Sequence, residues 1–255
     1  MSGFFLRMCP CGMNALLIAF AFAGMACDTV QSHTANDSTS LIQVSGRVVV
    51  SNMGFAPVPA FSFNSPIVTG LLSVKRKRFS FEADMAVGLN GKPWMANNWF
   101  RLTLIEQRGW KANLGINPSL FFKSERPGPD KEIIHAHRNL TAEAAAERQF
   151  PGWALRLTYQ RIRAFGAGTL SGNFLDVSSS LTIARWQEKL SLHVQPQLFY
   201  FNFDGDIDGL FTSATLTAEH ARLPLSFYTQ GVLPLWTDFP GNSFKWNFGL
   251  YVTFK

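Results

Sequence analysis

Arg47, Arg101, Lys111, Arg156 and Lys245, together with Glu82, Asp84, Glu143, Asp176 and Glu219, fall on one side of short segments whose other side is apolar. Charges gathered this way can line a watery passage and select ions by their sign. They can also pair with one another and brace a wall. The signs here nearly balance, which favours ion pairs bridging a lumen, because a strongly selective pore would carry one dominant sign. The passage reading instead gives a narrow, weakly selective pore with Arg101 and Glu82 near its constriction. Arg47, Asp84, Lys111, Arg156, Asp176 and Lys245 would line the rest.

Other residue sets suggest chemistry less directly. Asp204-Gly-Asp206-Ile-Asp208-Gly209 matches the start of a calcium loop, in which alternating carboxylates converge on a hard cation. The final acidic ligand is missing, since Thr215 stands at its position. A polar hairpin turn explains the same residues. His135 and His137 share one face of a strand, but two imidazoles need further ligands, and His193 could join them only if the register allows. A lipid hydrolase would need a serine, a histidine and an orienting group at one height. His193 with Ser178 or Ser180 is the available pair, and no Gly-x-Ser-x-Gly elbow is present. Nor is there a phosphate-binding glycine loop or a zinc-finger spacing, so no cofactor is expected.

The elements that would position these residues read as strands. From Leu41 onward the chain divides into alternating segments of about ten residues, the signature of a membrane barrel. The last one shows the pattern best: Phe244, Trp246, Phe248, Leu250, Val252 and Phe254 oppose Lys245, Asn247, Gly249, Tyr251 and Thr253. Large aromatics at both ends of the apolar face suit the two membrane interfaces. Pro57, Pro59 and Pro66 exclude Met53 to Pro66 from a ladder, and Pro127 and Pro129 make Lys123 to Lys131 read as a loop. Ile134 to Glu147 could be helical by propensity, but Thr141, Glu143 and Glu147 alternate with Ala142, Ala144 and Ala146, so it reads as a strand. The count comes to about twelve, with alternate connections short and long.

The expected fold is therefore all-β: a transmembrane antiparallel up-and-down barrel over residues 41–255, with a periplasmic N-terminus. Small inward residues such as Gly115, Ser119, Ser178 and Ser180 would leave its lumen open. Before the barrel, Arg7 and the apolar run Ala15 to Ala23 read as a secretory signal over residues 1–27, and residues 28–40 as a loose spacer. Lipid attachment at Cys27 is the alternative, though Gly24-Met25-Ala26 makes a poor lipobox. Cys9, Cys11 and Cys27 all lie in this leader, so the barrel would hold no disulfide. The net charge of +6 is scattered apart from Lys75-Arg76-Lys77-Arg78, which suits a turn near lipid headgroups better than a nucleic-acid surface.

Pro57-Val58-Pro59-Ala60-Phe61-Ser62-Phe63, Arg78-Phe79-Ser80-Phe81-Glu82, Asn90-Gly91-Lys92-Pro93-Trp94 and Pro196-Gln197-Leu198-Phe199-Tyr200 resemble a family of outer-membrane barrels from Bacteroidota. The resemblance implies location and architecture, and no activity. The closing strand likewise resembles the C-terminal assembly signal of such barrels. Trp246, Phe248, Tyr251 and Phe254 are its candidate residues, and Lys255 departs from the pattern. The expected partners are outer-membrane lipid and the barrel assembly machinery. The expected role is a passive channel or small-solute transporter, and the alternative is a non-conducting barrel that presents its outer loops to a partner.

Overall fold

Period-2 alternation from Gln43 to Phe254 produces a single sheet that closes on itself. The structure, a computed structural model, describes residues 41–56, 62–128, 131–166, 169, 171–187, 189–204, 207–239 and 243–254. The strands are β1 (Gln43–Ser51), β2 (Ile67–Arg76), β3 (Phe79–Gly88), β4 (Pro93–Gln107), β5 (Trp110–Gly128) and β6 (Lys131–Phe150). They continue as β7 (Trp153–Phe165), β8 (Gly172–Trp186), β9 (Leu190–Phe203), β10 (Ile207–His220), β11 (Leu225–Thr237) and β12 (Lys245–Phe254). Each strand pairs antiparallel with its sequence neighbours, and β1 pairs with β12 through Arg47↔Thr253 and Val49↔Tyr251, so no edge is left unpaired. A backbone in hydrocarbon requires this closure, because nothing there can satisfy a free N–H or C=O.

One end of the barrel, here the terminal end, carries Gln43 and Phe254 and the tight turns. Arg108 and Gly109 have φ of 51° and 76°, the left-handed pair that lets a two-residue hairpin follow the twist of its strands. The opposite, loop end carries the longer connections. Exposed Phe79, Trp110, Trp153, Trp186 and Phe254 ring the terminal end. Phe165, Trp236 and Phe244 stand toward the loop end, with Leu114, Ile116, Leu155, Leu157, Val177 and Leu198 exposed between the two belts. An apolar wall between aromatic belts is what a lipid-facing surface requires.

Two stretches differ from the sequence reading. Residues 123–128, expected in a loop, continue β5, pairing Lys123↔His135 and Glu125↔Ile133. The ladder shifts register between Glu125 and Gly128, which is how a strand admits Pro127. Asp208 and Gly209, expected in a turn, begin β10 opposite Asn202 and Phe201. The Met53 to Pro66 connection holds a bridge between Gly54 and Phe63, while Pro57 and Pro59 lie outside the described residues. So do the expected signal segment, the spacer and Cys27.

Candidate functional site: the barrel lumen

Arg47, Glu82, Asp84, Arg101, Lys111, Arg156, Asp176 and Lys245 all stand on the inward face, but they do not form one ring. Glu82, Arg101 and Arg156 meet around Glu143. Arg101 Nε donates to Glu143 Oε1 at 2.8 Å, and its Nη1 bonds Glu82. Arg156 Nη2 approaches the same Glu143 oxygen at 3.8 Å, and Gln160 donates to the other at 2.9 Å. The Arg101 guanidinium also lies 4.3 Å from the Trp99 ring centre, a cation–π contact. Glu143 is 3% exposed and Arg101 8%, so each charge depends on the other for stabilisation in a region of low dielectric.

Toward the loop end a second polar group follows the register. Asp84 pairs with Asn97, Asn97 with Ser119, and Ser119 with Asn139, four adjacent inward positions on β3, β4, β5 and β6. All are buried, as are Asn117 and Thr141 in the next row. Asn97 Nδ2 reaches Asp84 Oδ2 at 3.4 Å, whereas Asp84 Oδ1, Ser119 Oγ, Asn139 Nδ2 and Thr141 Oγ1 have no hydrogen-bond partner among the described residues.

Beside this row the lumen is apolar. Phe174, Phe199, Phe201, Phe203 and Phe211 point inward from β8, β9 and β10, and Phe55 and Phe239 cover them from the loops. Phe199 and Phe211 stack at 5.4 Å, and Phe203 meets Phe239 edge-on at 5.6 Å. A smaller group of Ile67, Trp94, Met95 and Phe121 sits across from them. Sequence reading missed this filling. Its signal was present in Phe199-Tyr200-Phe201-Asn202-Phe203, where the face opposite the outward Leu198 and Tyr200 is itself aromatic.

Of the small inward residues, Gly115, Ser119 and Ser178 do not leave open space, whereas Ser180 borders a cavity. A Cβ on Gly115 would stand 3.2 Å from Arg101 Cγ and 3.5 Å from Glu143 Cβ, so the glycine accommodates the ion network. Ser119 and Ser178 are buried, Ser178 donating to Asp176 at 3.3 Å. That cavity, of about 710 Å3, lies at the terminal end and is bordered by Ser180, Thr182, Arg185, His193, Thr217 and Glu219.

His193 lies there and far from His135 and His137, which are near the loop end, so the three histidines do not form a metal site. Its Nδ1 is 3.1 Å from the Thr182 hydroxyl rather than from Ser178 or Ser180, and its Nε2 is 3.9 Å from Glu219. Tyr251 donates to Glu219 at 2.6 Å and carries the Arg47 guanidinium 4.3 Å above its ring. Lys245 donates to Asn64 at 3.0 Å at the loop end. Among the described residues no group of three His, Cys, Asp or Glu could hold a metal. Asp204 accepts from the Ser171 amide at 3.0 Å, Asp208 accepts from Tyr200 at 2.7 Å, and Asp206 is outside the described residues. On the β5–β6 hairpin, the bonded Lys123 ammonium holds the Glu125 carboxyl below the usual carboxylate range.

No protein-family model matches the chain, and no curated protein matches it. Solved structures do. An outer-membrane channel from Pseudomonas putida F1 gives a TM-score of 0.49 at 12% identity, covering 87% of this chain and 99% of that one. A KdgM porin in complex with disordered oligogalacturonate gives a TM-score of 0.50 at 8% identity, covering 84% of this chain and 100% of that one. Together with the closed ladder and the apolar wall, that likeness shows the architecture of an outer-membrane β-barrel.

Proposed function

We propose that this protein is a narrow outer-membrane channel for small polar solutes, with its terminal end in the periplasm. The observation that carries the reading is a polar seam running most of the length of the lumen. It begins at the terminal-end cavity, passes Arg156, Glu143 and Arg101, and continues into the buried row of Asp84, Asn97, Ser119 and Asn139, where Asp84 Oδ1, Ser119 Oγ and Asn139 Nδ2 have no hydrogen-bond partner among the described residues. Charges of both signs along the seam make such a passage weakly selective. The shared architecture with a porin supports the same reading. In this reading Trp246, Phe248 and Phe254 face outward on the closing strand, where the assembly machinery would read them, with Tyr251 inward on the same strand.

A second reading is a barrel that does not conduct, favoured by the aromatic filling of the loop end. Single-channel recording of the refolded chain in a planar bilayer separates the two. The channel reading expects small openings whose ion preference changes in Arg101→Ala. A barrel that folds, shifts on heating in gels, and stays silent in both wild type and variant would establish the second.

A further inference from the structure

Inward polar residues are ordinary in a membrane barrel, but the outward face of β6 and β7 also carries three arginines near the loop end. Leu140↔Arg163 and Arg138↔Phe165 are paired positions, so Arg138 and Arg163 are diagonal neighbours, and Arg161 stands two residues from Arg163 on the same face. Diagonal and i, i+2 positions on one face are about 7 Å apart, within the span of one phosphorylated headgroup. All three are exposed. Among the described residues none has a carboxylate within ion-pair distance, and the one contact among them is Arg163 over its own strand neighbour Phe165 at 5.6 Å. Asn173 pairs with Arg161, and its Oδ1 already accepts from Tyr159 at 2.8 Å, which leaves its amide N–H groups to donate beside the arginines.

The arginine at the other end of β6 shows what a satisfied one looks like. Arg148 donates to the Arg108 carbonyl at 2.5 Å and lies over Trp110 at 5.1 Å and Phe150 at 5.6 Å. From Arg148 to Arg138 the strand runs about 33 Å, which at a tilt of about 40° spans the roughly 25 Å apolar band of a membrane barrel. Arg138 thus stands at a headgroup level, and Arg163 and Arg161 lie lower on β7, opposite Leu140 and Ala142, from where a long arginine side chain can reach up toward it. Below Arg138, Ala142, Ala144 and Ala146 face outward, paired with Ile116, Leu114 and Ala112 on one side and Arg161, Tyr159 and Leu157 on the other. These small residues, flanked mostly by larger ones, make a shallow furrow that runs down the wall from the arginines.

We propose that this surface binds a phosphorylated glycolipid of the outer leaflet, its phosphates on Arg138, Arg161 and Arg163 and one acyl chain in the alanine furrow. Guanidinium forks match phosphate oxygens in geometry as well as charge. The proposal rests on the membrane location and orientation given above.

The test uses the refolded full chain in dodecyl maltoside, titrated with bisphosphorylated lipid A and with the same lipid stripped of its phosphates, and bound lipid is counted by native mass spectrometry. Wild type should retain the phosphorylated form at least tenfold better, and Arg138→Gln, Arg161→Gln and Arg163→Gln combined should abolish the difference, while Arg148→Gln keeps it. Equal retention of both lipids by wild type, or a triple variant that still discriminates, would overturn the proposal. So would a preference for phosphatidylglycerol over lipid A, which would move the surface to the inner leaflet. Insertion of each protein into phosphatidylcholine vesicles is scored separately. A wild type that does not insert refutes the membrane reading itself, whereas an inserted barrel blind to phosphate refutes only the lipid site.

Discussion

The two halves of the lumen answer the same problem, an inward face with no bulk water, in opposite ways. Near the loop end, Phe174, Phe199, Phe201, Phe203 and Phe211 fill the space from β8 to β10 with side chains that need no partners. Toward the terminal end, the filling is Arg101 between Glu82 and Glu143, and beyond it a cavity bordered by hydroxyls, His193 and Arg185. Aromatic filling draws its stability from contact and depends on shape. Ionic filling stabilises only while every charge keeps its partner. The first half is therefore a barrier that can be thinned, and the second a filter whose members must be changed together.

The largest effect is expected where aromatic contact fills the lumen. Phe199→Ala combined with Phe211→Ala removes a stacked pair of fully buried rings. Each truncation in a core costs roughly 3–5 kcal/mol, and the space it leaves adjoins the polar seam. Urea unfolding in lipid vesicles should show the loss, and bilayer recording should show a several-fold larger conductance. An unchanged conductance in a folded double variant would mean that the barrier lies at the ion network instead.

Arg101→Ala tests that network. It leaves Glu143, 3% exposed, with Gln160 at hydrogen-bond distance and Arg156 at 3.8 Å as its remaining partners. Removing one member of a buried pair costs about 3–5 kcal/mol. Adding Glu143→Gln should return most of that in vesicle unfolding, because the uncompensated charge goes with it. If the double variant is no more stable than Arg101→Ala alone, the arginine acts through its contact with Trp99 rather than through charge.

A change of a single methyl sharpens the contrast. At Gly172 a Cβ would stand 2.3 Å from Phe203 Cδ1 and 2.6 Å from the Asn202 carbonyl oxygen, both in the aromatic half. At Gly115 it would stand 3.2 Å from Arg101 Cγ, the middle of a flexible side chain. Gly172→Ala should cost about 1–3 kcal/mol as an overpacked site, and Gly115→Ala distinctly less. A reversed order of unfolding midpoints would show that the ionic half is the more rigid of the two.

The legibility of the two halves in the sequence differs for a related physical reason. Strand periodicity fixes which face a residue takes, so the barrel, its closing strand and the inward position of Arg101, Glu82 and Asp176 could be read directly. Periodicity says nothing about height or register, which decide whether inward residues meet. Hence Glu143, one inward charge among several in the sequence, is the centre of the network, while Lys111 and Lys245 take no part in it. The inward phenylalanines went unread because an aromatic residue on a barrel strand is expected to face lipid, and Phe199, Phe201 and Phe203 face inward instead. The extension of β5 through Gly128 went unread because two prolines mark a loop, and the register shift between Glu125 and Gly128 takes up the first, Pro127.

The smallest structural effect is expected at the terminal-end cavity. Arg185 and Lys189 border it and are exposed, so Arg185→Gln with Lys189→Gln should change stability by less than about 0.5 kcal/mol, as surface substitutions do. Their influence is through the field at the mouth, where like charges raise the local concentration of counter-ions. If solutes enter by this cavity, the reversal potential under a salt gradient should move toward cation preference in the double variant. The shift should shrink as ionic strength rises, since screening at about 0.1 M acts over roughly 10 Å. A shift that survives high salt would show that the two charges act at close contact rather than through the field at the mouth, and a reversal potential that does not move would show that the cavity lies off the conducting route.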